Sequence, residues 1–289
     1  WTAIVTSQAR NETALADNNW ILNNVAENLT DFDFVRLNEA ADNARISHNR
    51  VCAPDEPTMV DLGGTTTAFT ATGNIWDCTQ AILRFSFDDE NLAFDTIAQQ
   101  AVTLNGSVSS TMGVINHAAS FTTVADEIIM PDPMSTVETT GEFTVMSWIN
   151  VADFNTGSEV FGRPRLNRQG DISLGFDQNG DATIYINAKH FQPGITLIQN
   201  EWAHIAITFD RAIRTAKVYL AGVEVFQYYF DESVDLFFNT EQEFRLGLGQ
   251  WRSGSKYFSG AIDEFAIYDQ ALSAERVNQQ YLREYRLLN

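Results

Sequence analysis

The feature that most constrains this chain lies between residues 81 and 268. There, short runs alternate apolar with polar residues, each run closes on a turn signal, and no helical period intervenes. Residues 83–87 and 143–151 alternate, and Phe143, Val145 and Ile149 share one face of the second run. Residues 172–176 and 182–186 flank Asp177-Gln178-Asn179-Gly180. The Asn-Gly pair there tolerates the positive φ of a tight hairpin. Residues 202–209 and 216–220 form a second hairpin. Ala221-Gly222 then turns the chain into 223–230, and 244–248 and 261–268 add two further strands. Strands in such succession, without helices between them, predict an antiparallel sandwich or barrel. Only the end reads as helix: Ser273 stands as N-cap, Glu275 lies in the first turn, and Val277, Tyr281 and Leu282 form a stripe.

The first 80 residues read differently. Leu15, Leu22, Val25, Ala26 and Leu29 recur at helical steps and predict a helix over 7–29, with a second over 34–46. Pro54, Pro57 and Gly63-Gly64 break the pattern, and the Thr-rich stretch 65–72 suits a strand or an exposed loop. The expected organisation is a helical N-terminal segment, 1–80, followed by a sandwich, 81–289. Two cysteines, Cys52 and Cys78, fall in the first part. They cannot form a zinc site alone, and no His lies at ligand spacing. A disulfide between them closes a 27-residue loop, worth roughly 3–4 kcal/mol, and implies an oxidising compartment. The alternative is a pair of buried thiols.

Charge narrows the partners. The chain carries 38 acidic against 18 basic residues, a net charge of −20. Such a surface repels phosphate, so nucleic acid and anionic membranes are excluded as partners, and cations such as Ca²⁺ are favoured. No apolar run approaches the ~20 residues that span a bilayer, and Trp1 to Val5 lacks the features of a signal peptide.

Several strings carry a family resemblance. Leu83-Arg84-Phe85-Ser86-Phe87-Asp88 is similar to the opening strand of laminin-G-like, concanavalin-A-like jelly rolls. Phe143-Thr144-Val145-Met146-Ser147-Trp148-Ile149 resembles the family's Trp-containing strand, and Glu201 to Phe209 its W-x-H strand. Val218-Tyr219-Leu220-Ala221-Gly222 matches a strand and turn in which Ala221 replaces the usual Asn. Phe258 to Tyr268 resembles the late strand built around Ile262-Asp263-Glu264, and Ala271 to Glu275 the closing helix. Six matches in order cover 81–285. They imply two stacked antiparallel sheets that bind glycans or proteins on the concave face or rim loops. They also imply a structural calcium, with Asp263 as ligand and Asp88 as a second carboxylate. The alternative is that Asp263 orders a loop by accepting backbone hydrogen bonds. The N-terminal helix with its cysteine-closed region resembles a type IV pilin-like protein without its membrane half, which implies filament or assembly partners through that helix.

Catalytic chemistry is harder to find. Glycosidases on such a sandwich need two carboxylates on one strand face, and no E-x-D-x-E-like run occurs. Asp263 and Glu264 are adjacent, and simple alternation sends them to opposite faces. The four histidines, His48, His117, His190 and His204, are scattered, and His204 reads as a packed residue. Ligand contacts fall to loops instead. Trp251 and Tyr257 flank a loop containing Arg252, while Arg163, Arg165 and Arg168 form a cluster suited to an acidic sugar. The sequence therefore predicts a non-catalytic, extracellular or cell-surface recognition and adhesion protein, binding a glycan or a surface protein. A polysaccharide hydrolase or lyase on the same fold is the rival.

Overall fold

A computed structural model gives the architecture. It describes strand residues within 20–76, then 81–88, 92, 102–130, 132–154, 158–162, 172–187, 189–238, 243–251 and 254–285. The chain divides into two compact units, Trp1–Thr79 and Gln80–Asn289.

The first unit contributes β1 (Trp20–Leu22), β2 (Val25–Ala26), β3 (Val35–Leu37), β4 (Ala44–Ser47), β5 (Arg50–Val51), β6 (Val60–Leu62), β7 (Phe69–Thr72) and β8 (Ile75–Trp76). They pair in parallel as three small sheets, β1-β4-β7, β2-β5-β8 and β3-β6. This corrects the helical expectation wherever the residues are described. Apolar residues three and four apart also arise when two short strands follow one another across a tight turn. Here the backbone bonds go to strands far along the chain, which a local period cannot register. The pilin-like resemblance rested on that helix and is not carried further. Cys52 and Cys78 lie outside the described residues.

The second unit contains β9 (Leu83–Phe85), β10 (Thr103–Asn105), β11 (Ser109–Met112), β12 (His117–Phe121), β13 (Glu127–Met130), β14 (Glu142–Val151), β15 (Ser158–Gly162), β16 (Ile172–Phe176), β17 (Ala182–Ile186) and β18 (Lys189–Phe191). These are followed by β19 (Trp202–Asp210), β20 (Thr215–Leu220), β21 (Val223–Tyr229), β22 (Phe244–Leu246), β23 (Leu248–Trp251), β24 (Gly254–Tyr257) and β25 (Gly260–Tyr268). One sheet runs β10-β13-β22-β15-β16-β17-β18, the other β11-β12-β25-β14-β19-β20-β21, with β9 also on β25. This is the expected antiparallel jelly-roll sandwich. Between the sheets, Phe265 of one meets Phe161 and Phe244 of the other at ring-centroid distances of 5.7 and 6.0 Å. Helix α1 (Met134–Thr140), which the sequence did not suggest, stops at Gly141, whose φ is 77°. Helix α2 (Ala274–Tyr285) begins as expected, with Ser273 Oγ accepting the Arg276 N–H at 3.2 Å.

Candidate functional site

The two sheets differ on their outer faces. On the eight-stranded sheet, Met146, Ala206, Tyr219, Ala266 and Tyr268 pack against Leu272 and Val277, so α2 and the turn before it cover that face. Trp148 stacks on Tyr281 at 5.6 Å and its Nε1–H donates to Glu284 Oε2 at 2.8 Å. His204 lies against both rings, at 5.4 and 5.6 Å. Burial holds it neutral, down at about 3. It is packed, as its place in the strand predicted.

The outer face of the seven-stranded sheet follows from its inward residues. Ile128, Leu246, Phe161, Leu174, Ile184 and Phe191 point into the core, so their strand neighbours face outward. Cross-strand partners make one row over the whole sheet: Thr103, Ile129, Arg245, Gly162, Ser173, Tyr185 and His190. Arg245 Nη1 donates to Glu127 Oε2 at 2.7 Å, its Nη2 to Glu243 at 2.7 Å, and Asn105 Nδ2 to Glu127 Oε1 at 2.7 Å. At the other end the Tyr185 and His190 rings stack at 4.4 Å. Between them the row is closely packed. A Cβ on Gly162 would lie 2.5 Å from Glu159 Oε1, and one on Gly175 only 2.4 Å from the Ser158 carbonyl oxygen. The middle of the row is buried, Ser173 and Glu159 being 1% and 2% exposed, whereas Arg245 and Tyr185 are half-buried and His190 is exposed. The aromatic end of the row suits a polyhydroxylated ligand, which stacks one face on aromatic rings and donates and accepts hydrogen bonds at its edges.

Most of the sequence-predicted ligand residues fall outside the described residues. The β15–β16 connection, with Arg163, Arg165 and Arg168, follows Gly162 directly and lies outside the described residues. Trp251 closes β23, its backbone opposite Gly254 of β24, and this hairpin packs against β15. Arg252, at its tip, lies outside the described residues, and Tyr257 is half-buried. Of the two predicted segments, the β23–β24 pair thus adjoins the strand that carries Glu159 and Gly162. The sequence reading passed over Glu127, Glu159, Ser173, Tyr185, His190 and Arg245. Alternation alone marks Ser173 and Tyr185 as outward, but it does not say which sheet a helix will cover.

Asp263 sits elsewhere, and its carboxylate is already engaged. Its Oδ2 accepts the N–H groups of Val114 and Ile115 at 2.8 and 3.0 Å, and its Oδ1 that of Glu264 at 2.8 Å. Burial, with the Glu264 charge beside it, pushes this carboxyl up to about 8 against those three bonds. Three backbone N–H groups thus engage the carboxylate that a calcium ion would need, as the loop-ordering alternative expects. Asp88 is half-exposed. Among the described residues no group of three His, Cys, Asp or Glu could hold a metal ion. The alternation that separates Asp263 from Glu264 is interrupted, since β14 and β25 shift register there and Glu264 has a φ of 49°. Glu264 forms an ion pair with Arg84 of β9.

A family model described as the concanavalin A-like lectin/glucanases superfamily matches residues 121–278. The chain belongs to this superfamily. Among solved structures, this lectin/glucanase-type chain is similar to domain 4 of AbnA, an extracellular arabinanase from Geobacillus stearothermophilus, in complex with arabinotriose. The identity is 24%, the match covers 69% of this chain and 97% of that one, and the TM-score is 0.56. It is also similar to the botulinum neurotoxin DC binding domain, solved with SialylT at 14% identity (TM-score 0.54, 71% and 51% covered). The same toxin domain with rat synaptotagmin II matches at 16% (TM-score 0.56, 71% and 52% covered). The chain spans about half the length of those toxin domains. No curated protein matches it. At these identities the likeness is one of fold.

Proposed function

We infer that this superfamily member is a non-catalytic recognition module, acting outside the cell or at its surface, that binds a glycan on the outer face of the seven-stranded sheet. The observation that carries the reading is the asymmetry of the sandwich. Helix α2 covers one outer face, while the other carries a row that runs from Arg245 through buried Gly162 and Ser173 to the stacked pair of half-buried Tyr185 and exposed His190. The similar structures support it, since one was solved in complex with arabinotriose and another with SialylT. A protein ligand is the second reading, supported by the toxin domain solved with synaptotagmin II.

Glu127 and Glu159 share the outer face but stand on strands separated by β22. Glu127 is committed to Arg245 and Asn105. An ion pair and an amide hydrogen bond on one carboxylate support a positioning role for Glu127. The test is a panel that includes arabinotriose and sialylated oligosaccharides, measured by calorimetry on the intact chain. Tyr185→Ala and His190→Ala are expected to weaken a detected complex about tenfold or more without shifting the melting temperature. Binding that survives both substitutions places the ligand elsewhere. Steady, protein-dependent release of new reducing ends from a polysaccharide overturns the non-catalytic reading.

A further inference from the structure

In the first unit, every paired residue is matched with one 25 positions along the chain. Trp20, Ile21 and Leu22 pair with Arg45, Ile46 and Ser47, and these with Thr70, Ala71 and Thr72. Val25 and Ala26 pair with Arg50 and Val51, and these with Ile75 and Trp76. Val35, Arg36 and Leu37 pair with Val60, Asp61 and Leu62. All these ladders are parallel, and they form three separate sheets. Parallel strands joined at a constant offset, in three sheets visited in turn, describe a chain that winds and stacks on itself.

We propose that residues 20–76 are coils of a parallel β-solenoid with a 25-residue period, a stem that lengthens by about 4.8 Å with each coil. The sequence carries the same period. Aliphatic or small residues recur at 21, 46 and 71, valine at 35 and 60, and leucine at 37 and 62. Two residues separate the first and second strands of every coil, and the second of them is Asn24, Asn49 or Asn74. Asn is the non-glycine residue that best tolerates a left-handed turn. Arg36 and Asp61, of opposite charge, occupy one register position in successive coils. The period ends where the sandwich begins. The next strand of the third set would fall at 85–87, but Phe85 is instead opposite Phe265 in β25. Among the described residues β1, β2 and β3 each have a partner on one side only, so a coil of the same period is what fits that edge.

The test changes the number of coils in the full chain. One variant receives a second copy of residues 44–68 between Ala68 and Phe69, with Cys52→Ser in the copy. A control receives residues 44–65 at the same place, three residues out of phase. The in-phase variant is expected to keep the parent's melting temperature or exceed it, and to gain the slow-exchanging backbone amides of one coil. The out-of-phase variant is expected to lose slow amides across 20–76. Equal disruption by both insertions, or acceptance of the in-phase copy without new slow amides, overturns the solenoid.

Discussion

Glu284 is the acid most at odds with its surroundings. It is buried on α2, accepts hydrogen bonds from Trp148 Nε1 and from Gln280 Nε2 at 2.5 Å, and shares its environment with Glu264, which already holds the Arg84 charge. Burial first, and the Glu264 charge second, push it up to about 7 from an ordinary value near 4.5. A carboxyl raised in the folded state holds its proton there after the unfolded chain has lost it. Its contribution to stability is therefore full below about pH 4.5 and declines as pH rises towards about 7. Glu284→Gln removes the titration and keeps an acceptor for Trp148. Denaturant unfolding between pH 4 and 8 should show the variant gaining on the parent across that window, whereas parallel profiles would place the proton elsewhere. Asp263 provides the contrast. Asp263→Ala leaves the N–H groups of Val114, Ile115 and Glu264 without their acceptor, at a cost of about 3 kcal/mol. Chelator should leave the parent's melting curve unchanged, and a drop on chelation would return a metal to this corner of the fold.

Among the elements, the β20–β21 turn departs from its preferred chemistry. Ala221 and Gly222 both have positive φ, 49° and 75°, and a two-residue turn of that kind favours Asn-Gly. Ala221→Asn should stabilise the sandwich by about 1 kcal/mol, read as a rise of a few degrees in melting temperature. Gly222→Ala should do the reverse, because a Cβ there would stand 3.0 Å from the Asn278 Cα and the Tyr281 ring of α2. Elements of this kind were legible in the sequence. The strands around 143–151, 172–176, 182–186 and 202–209 appear within a residue of their expected bounds, because alternation and turn residues act locally. The row from Arg245 to His190 was not legible as a unit. Its members come from five strands whose register only the folded sheet sets. The first unit was misread for the same reason at longer range, since its pairing partners lie 25 residues apart and runs of two to four residues leave no strand alternation, so the repeat shows only when the sequence is aligned at that spacing.

At the level of the whole molecule, charge and division matter most. The net charge of −20 raises the barrier to any anionic ligand approaching from solution, so an acidic glycan should bind more tightly as salt screens the surface, while a neutral one should be indifferent to salt. Titrations at 50 and 300 mM salt separate the two. The division into Trp1–Thr79 and Gln80–Asn289 predicts that residues 80–289 alone unfold in one cooperative transition and keep the ligand affinity of the full chain. A broad, multistep transition in that fragment would show that the sandwich depends on what precedes it.

The cover over the eight-stranded sheet has a consequence for how the protein is made. Arg84 meets Glu264, and Glu264 shares a buried environment with Glu284, so groups 200 residues apart in synthesis must come together. On the ribosome, at ~5–20 residues per second, Trp148 and His204 are present many seconds before Tyr281 and Glu284 exist. Until β25 (Gly260–Tyr268) is made, β12 and β14 lack the strand that lies between them and Arg84 lacks Glu264, so the eight-stranded sheet is completed and covered only at the end of synthesis. Translation speed near the 3′ end of the message, and any chaperone that shields apolar sheets, therefore act on the yield of this protein more than on its final stability.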